Sequence, residues 1–358
     1  MGRVTLPPRL ADIAAQAEVS EATVSRVLNG RTGVAGATRQ RVLAALDVLG
    51  YERPVRLRRR SAGLVGLVIP ELTNPIFPAF AQIIEQALAG HGYTPVLCTQ
   101  MPGGATEDEL VEQLEARGVT GIVFLSGLHA DTGADPARYT RLTARGVPYV
   151  LINGYNADIH ASFVSPDDRA AAKMAVTHLA ALGHTRIGLA VGPSRYVPSR
   201  RKAEGFTAVM EELFGLAQGE AQQLVQHTLF SVEGGHAAAA ALLDAGCTGV
   251  VCGSDLMALG VVRAARQRGL AVPGQLSVVG FDDSQLIAFA DPPLTTVRQP
   301  VQAMATAAVG ALIEEIQGNP VQRTEFVFQP ELVVRGSTGP VPGGPVRPAG
   351  RVRSPHSG

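Results

Sequence analysis

The first residues able to do chemistry lie on a short helical stretch near the start of the chain. Ser20 fits an N-cap, which places Val19 and Val24 at the staple positions on either side. Val24, Val27 and Leu28 then share one apolar stripe, while Glu21, Ala22, Ser25 and Arg26 fall on or beside the other face. A guanidinium at Arg26 can reach O6 and N7 of a guanine, and Arg39 and Arg41 can pair with phosphates. Asn29-Gly30 stops the stretch. Upstream, Leu10, Ile13 and Ala14 form a second stripe, joined to the first by the turn Ala17-Glu18-Val19. This is the spacing of a helix-turn-helix, whose second helix sits in the major groove. A three-helix packing module without DNA contact has the same spacing; the arginines favour the first reading.

The 358 residues carry 31 basic and 31 acidic side chains, but the balance is uneven. Residues 1–61 hold 11 Arg against 5 acids, a net +6; residues 338–358 hold 3 Arg and no acid; 62–337 hold 17 basic and 26 acidic residues, a net −9. A basic head on an acidic body suits a polyanionic partner for the head alone. Cys98, Cys247 and Cys252 lack zinc-ligand spacing and read as reduced core residues, with no disulfide or metal role. No apolar run approaches a membrane span, and MGRVTLPPRLADIAAQ lacks the apolar core of a signal peptide, so a cytoplasmic location is expected.

Behind the head the pattern changes. After the arginine-rich segment ERPVRLRRRSAG, apolar runs such as GLVGLVIP, TGIVFLSG and PYVLIN alternate with helical stretches. That is the signature of parallel sheets with helices on both faces. ARGVTGIVFLSG and DAGCTGVVCGSD echo each other, which predicts two similar lobes with a ligand cleft at the carboxyl ends of their strands. EFVFQPELVVRG reads as one closing strand, and the Pro/Gly-rich residues 338–358 as a disordered tail. No GxSxG, HExxH, P-loop or GxGxxG is present, so no enzyme is expected. His184 reads as a loop cap or surface residue, and Asp167-Asp168 and Asp282-Asp283 as solvated loop acids.

RLADIAAQAEVSEATVSRVLNG, followed by V-x3-TR-x2-V and ALDVLGY, resembles the DNA-binding head of the lac-repressor family almost position by position. The resemblance implies that Glu21 and Ala22 choose the operator. It implies base or backbone contacts for Thr23, Ser25, Arg26, Asn29 and Thr38; Ser20 and Arg39 are DNA-contact candidates beside them. The family usually has Gly in the turn where Glu18 stands; a left-handed Glu there costs on the order of 1 kcal/mol. Leu57 matches the Leu that a hinge helix wedges into the minor groove, but the link from Tyr51 is shorter than usual. A solvated basic linker that grips phosphate without sequence is the other reading of RLRRR.

VIPELTNPIF, THLAALGHTRIG, the RKAEGF helix start, SDLMALGVVRAARQRGL and VVGFDDS resemble the periplasmic-binding-protein-like effector domain of the same family. Ligand positions implied by the resemblance are Asn74, Phe77, Ser126, Asn153, Arg201, Lys202, Phe230, Ser254 and Asp282. Amide and carboxylate acceptors, a cationic donor and aromatic faces suit a polyhydroxylated ring. Phe77 and Phe230 also fit ordinary core positions, and Lys202 stands where the family usually has Arg.

The expected architecture is an all-α helix-turn-helix head (1–51), a linker (52–62) and an α/β body of two doubly wound parallel-sheet lobes (63–337). Lobe 1 is read as 63–164 plus 297–324, and lobe 2 as 165–296 plus 325–337. The expected function is a homodimeric, sequence-specific DNA-binding regulator, a repressor of sugar-utilisation genes. Its partners are operator DNA and a saccharide effector; no cofactor is expected. PGGATEDEL and SPDDRAA are similar to segments of regulators of maltose and other α-glucoside operons. The alternatives are a sugar-binding protein with no DNA role, and a regulator of a non-sugar ligand such as a nucleobase.

Overall fold

The computed structural model describes residues 9–28, 33–49, 51, 62–100, 103–217, 219–319 and 321–341. Asn29 and Leu57, and most of the linker, lie outside these residues. The chain divides into two units, 1–60 and 61–358.

The first unit holds α1 (Leu10–Ala17), α2 (Glu21–Leu28) and α3 (Gly36–Val48). Their inward stripes meet in a small core of Ile13, Ala14 and Ala17, Val24 and Val27, and Val42 and Ala45. Ser20 caps α2, its Oγ accepting from the Thr23 N–H at 3.2 Å. Glu18 is left-handed, with φ 53° and ψ 47°. This conformation ends α1, letting the Glu18 and Val19 N–H groups satisfy the carbonyls of Ala15 and Ala14.

The second unit begins with β1 (Gly63–Ile69), α4 (Ile76–Gly90), β2 (Tyr93–Thr99), α5 (Glu107–Ala116), β3 (Gly121–Leu125), α6 (Ala137–Ala144), β4 (Tyr149–Ile152) and β5 (Ser162–Pro166). The alternation restarts with α7 (Asp168–Ala181), β6 (Ile187–Val191), α8 (Val197–Phe214), the short α9 (Glu220–Gln223), β7 (Val225–His227), α10 (Val232–Asp244), β8 (Gly249–Cys252), α11 (Asp255–Gln267) and β9 (Ser277–Asp282). It ends with β10 (Thr295–Arg298), α12 (Val301–Ile316), β11 (Glu325–Phe328) and β12 (Glu331–Val333).

The first sheet has the order β11-β5-β4-β3-β1-β2 and is parallel throughout. The second, β12-β10-β9-β8-β6-β7, is parallel except for β12. β3, β4 and β6 are buried along their whole length, which is why their sequences are unbroken apolar runs rather than alternations. α12 returns to the first lobe, packing Met304, Ala308 and Leu312 into the core made by Val65, Val123 and Val150. The chain therefore crosses between lobes three times, after β5, after β10 and between β11 and β12.

Several expectations need correction. EFVFQPELVV is two strands on different sheets. Pro330 has no N–H to donate and breaks the run, so Glu325–Phe328 joins the first lobe and only Glu331–Val333 the second. Residues 338–341 are not a free tail: the Val341 N–H donates to the Leu182 carbonyl at 3.0 Å, and Gly339 is held by His184. His184 itself is fully buried, bonding Thr248 and Ser277 as well as Gly339. The paired acids are not solvated. Asp168 and Asp282 are buried, Asp167 caps α7 through the Ala170 N–H, and Asp283 is clasped by Arg298 and Arg335. For His184 and the four acids, a polar side chain is held by hydrogen-bond or ion-pair partners rather than by water.

Candidate functional site

Two surfaces carry candidate function. On the head, Glu21, Ala22 and Arg26 are exposed on one face of α2, with Thr23 and Ser25 half-buried beside them. Ser20 is occupied by its cap, bonding both the backbone and the hydroxyl of Thr23. Thr38 and Arg39 lie half-buried in the first turns of α3. α2 thus presents a short row of polar side chains of the length a major groove admits.

On the body, the carboxyl ends of the strands from both lobes enclose a cleft of about 290 Å³. From the first lobe come Glu71, Asn74 and Phe77 after β1, Gln100 after β2, Ser126 after β3 and Asn153 after β4. From the second come Tyr196 and Lys202 around the start of α8, Phe230 after β7, Ser254 after β8, Asp282 at the end of β9 and Gln299 after β10. Ser126, Asn153 and Asp282 all have positive φ, at 49°, 62° and 116°. A left-handed residue at three strand ends in one cleft is strain held where side chains must be aimed. Gly192 has no Cβ because the Phe230 ring lies against it. At the mouth, the Thr132 N–H and hydroxyl both donate to the Arg195 carbonyl at 2.9 Å, and Asp131 pairs with the Arg195 guanidinium at 3.0 Å, bridging the lobes.

Charge is concentrated in the second lobe's wall. The buried Lys202 pairs with Asp168 and lies 3.8 Å from the centroid of the Phe281 ring. Asp282 accepts from Gln299 Nε2 at 2.6 Å. Burial, and then the charge of Asp255, push the Asp282 carboxyl well above the ordinary range. Asp255 is raised by burial too, although Ser284 and Thr296 donate to it. Among the described residues, two side chains that line the cleft carry a buried acceptor with no partner, Asn153 Oδ1 and Gln299 Oε1. Their Nδ2 and Nε2 ends are used, on Ser126 and Asp282.

The first lobe's wall is braced from behind. Glu107 accepts from Gln100 Nε2, the Leu128 N–H and the Tyr139 hydroxyl at 2.6, 2.9 and 2.6 Å, pinning the 126–130 loop. His129 sits in the same network, and burial lowers its pKa to about 4, so it stays neutral. Among the described residues, no group of His, Cys, Asp or Glu could hold a metal, and no helix is long and apolar enough to cross a membrane. Burial pushes the Cys247 thiol up to about 11 and raises Cys98 and Cys252 as well, so none is poised as a nucleophile.

Eight of the nine side chains singled out in the body line this one cleft. Arg201 does not. One residue along a helix rotates the side chain by about 100°, and Arg201 instead makes a bidentate pair with Glu325 of β11, at 2.6 and 2.8 Å, on another face. Ser254 also serves as the N-cap of α11, bonding the Met257 N–H. Glu71, Gln100, Tyr196 and Gln299 line the cleft as well, beyond the sequence-predicted set. A polar residue just past each strand end was the available signal, and it applies to Gln100 and Gln299.

A small helical head presenting a polar recognition helix, in one chain with a two-lobed body built around a ligand cleft, defines a ligand-responsive transcription regulator. Comparison with known proteins agrees. Residues 9–53 match the model for bacterial regulatory proteins of the lacI family, and 176–338 that for a periplasmic binding protein-like domain. The chain is 79% identical to an uncharacterized HTH-type transcriptional regulator in the aml 5′ region of Streptomyces limosus, covering 94% of this chain and 96% of that protein. It is 67% identical to the HTH-type transcriptional regulator MalR of Streptomyces coelicolor, over 95% and 99%. Among solved structures, the transcriptional regulator CelR–cellobiose complex matches with TM-score 0.68 and 31% identity, over 92% and 99%. The lac repressor dimer bound to operator and an anti-inducer matches with TM-score 0.65 and 26% identity, over 93% and 100%. The chain belongs to the lacI family: it is a transcriptional regulator, not an enzyme.

Proposed function

We propose that the protein is a cytoplasmic, homodimeric repressor of sugar-utilisation genes, whose affinity for its operator changes when a saccharide, an α-glucoside such as maltose, enters the cleft. The observation that carries the ligand class is the pair of orphaned acceptors, Asn153 Oδ1 and Gln299 Oε1, beside the Asp282 carboxyl. Acceptors without donors call for a ligand rich in hydroxyl hydrogens, and Phe77 and Phe230 offer apolar faces to a ring. The names of MalR and of the CelR–cellobiose complex support a sugar, and that of the operator-bound lac repressor supports a dimer on DNA.

In this reading Ser20, Glu21, Ala22, Thr23, Ser25 and Arg26 meet the major groove, with Thr38 and Arg39 on the backbone. Each head reads one half of a near-palindromic site. Closure of the lobes on the sugar biases a two-state equilibrium between DNA-binding and released forms. A gel shift on DNA upstream of neighbouring sugar genes, with and without maltose, tests the whole scheme. Specific binding that changes with sugar is expected. Arg26→Ala should weaken specific binding by about 10- to 100-fold without changing the melting temperature. Binding that ignores sequence at moderate salt would sink the proposal.

A further inference from the structure

We propose that the cleft is an anion filter: it admits a neutral polyhydroxylated ligand and rejects the phosphorylated counterpart. The saccharide nature of the ligand rests on the reading above; the preference about charge does not.

Three observations converge. The first is the state of Lys202, the one cation among the described residues lining the cleft. Its ammonium is given to Asp168, its stem is walled by Phe281, and both members of the pair are almost completely buried. To give a phosphate its charge, Lys202 would have to share it with the buried Asp168, which already holds it.

The second is the helix that opens onto the cleft from the first lobe. Free N–H groups at a helix N-terminus are the usual cradle for an anion. At α4 they are absent or used. Pro78 has no N–H. Ile76 donates to Asn74 Oδ1 at 3.4 Å, Phe77 to the Asn74 carbonyl at 3.2 Å, and Ala79 to the Pro75 carbonyl at 3.2 Å. Across the cleft, Pro198 likewise lacks the N–H of an early position in α8, and the Met257 N–H of α11 is taken by Ser254. Asp255 adds a carboxylate to the first turn of α11, opposing its positive end.

The third is what remains on offer. Glu71 and Asp282 are acids, and Asn153 and Gln299, whose side chains line the cleft, carry buried acceptor oxygens without a partner among the described residues. A hydroxyl can donate to all four, whereas a phosphate dianion is acceptor-only. After burial, the charge of Asp255 is the largest influence raising the Asp282 carboxyl, with Lys202 acting against it.

The test uses the full chain and matched pairs of probes, read as thermal shift and by titration calorimetry: maltose against maltose 6′-phosphate, and adenosine against adenosine monophosphate. In whichever pair responds, the neutral member should bind at least about tenfold more tightly than its phosphate. A phosphate that binds as well as its neutral partner overturns the filter. A response confined to the nucleoside pair removes the saccharide reading, while the neutral-over-anionic ratio within that pair still decides the filter. Asp168→Asn releases Lys202 without changing shape, and should narrow the ratio by bringing the phosphate in. An unchanged ratio in a folded D168N chain overturns the assignment to the ion pair, and the wild-type ratio stands as a test should that chain not fold.

Discussion

The head and the body both recognise a partner, but they place the recognising groups on opposite sides of the folding problem. In the head, Glu21, Ala22 and Arg26 lie outside a core of seven buried side chains, and the fold does not depend on them. In the body, Asn153, Lys202 and Asp282 are buried, and each needs a network or a strained backbone to stay where it is. Exposed readers cost little to fold and can be exchanged freely. Buried readers are dehydrated before the ligand arrives, which sharpens selection but binds specificity to stability.

The largest effect should come from the head's thin core. Ile13→Ala removes a fully buried side chain from the core formed by the described residues of that unit, at about 2–5 kcal/mol. Operator binding and the helical signal of the head should be lost together, while the ligand-induced melting shift of the body persists. Retained operator binding would contradict the picture of a small, independent core.

Next is Asp282→Asn, where function and stability should move in opposite directions. Burial and the charge of Asp255 raise this carboxyl in the folded chain above its ordinary value of 3.8. Well below pH 3.8, folded and unfolded forms both hold the proton. As pH rises, the unfolded chain releases it first, so wild-type stability falls until the raised folded value is passed. The D282N chain lacks that loss. Its melting temperature should equal the wild type's at low pH and exceed it towards neutrality, while saccharide affinity falls by about tenfold or more. A variant less stable than wild type at neutral pH would mean that Lys202 outweighs the surrounding acids.

Smallest is Glu18→Gly. The left-handed turn costs a Glu on the order of 1 kcal/mol, and glycine's greater freedom in the unfolded chain returns part of it. A slight rise in the head's melting, with the body unchanged, is the expected result.

Much of this is legible in the sequence. Ser20, Glu18 and the apolar stripes of the head are local signals, and local signals fix short helices. The family resemblance pointed to Ser126, Asn153, Ser254 and Asp282, and they meet in one cleft because an open parallel sheet exposes its strand ends on one side. Arg201 and Lys202 could not be separated by residue type, since both are cationic and only helical phase distinguishes them. Nor could sequence show which sheet receives Glu325–Phe328, because edge strands are placed by long-range pairing. The burial of the loop residue His184 is hidden for a similar reason: its partners Thr248, Ser277 and Gly339 lie 64, 93 and 155 positions away.

The three crossings between the lobes have a mechanical consequence. A single tether would let two bodies swivel in any direction; three separate links running between the same pair of sheets remove most of that freedom. What remains is a pivot, as on a door hung from several pins. Pro166 and Gln299 stand beside two of those pins and also line the cleft, so a molecule seated there touches the axle itself.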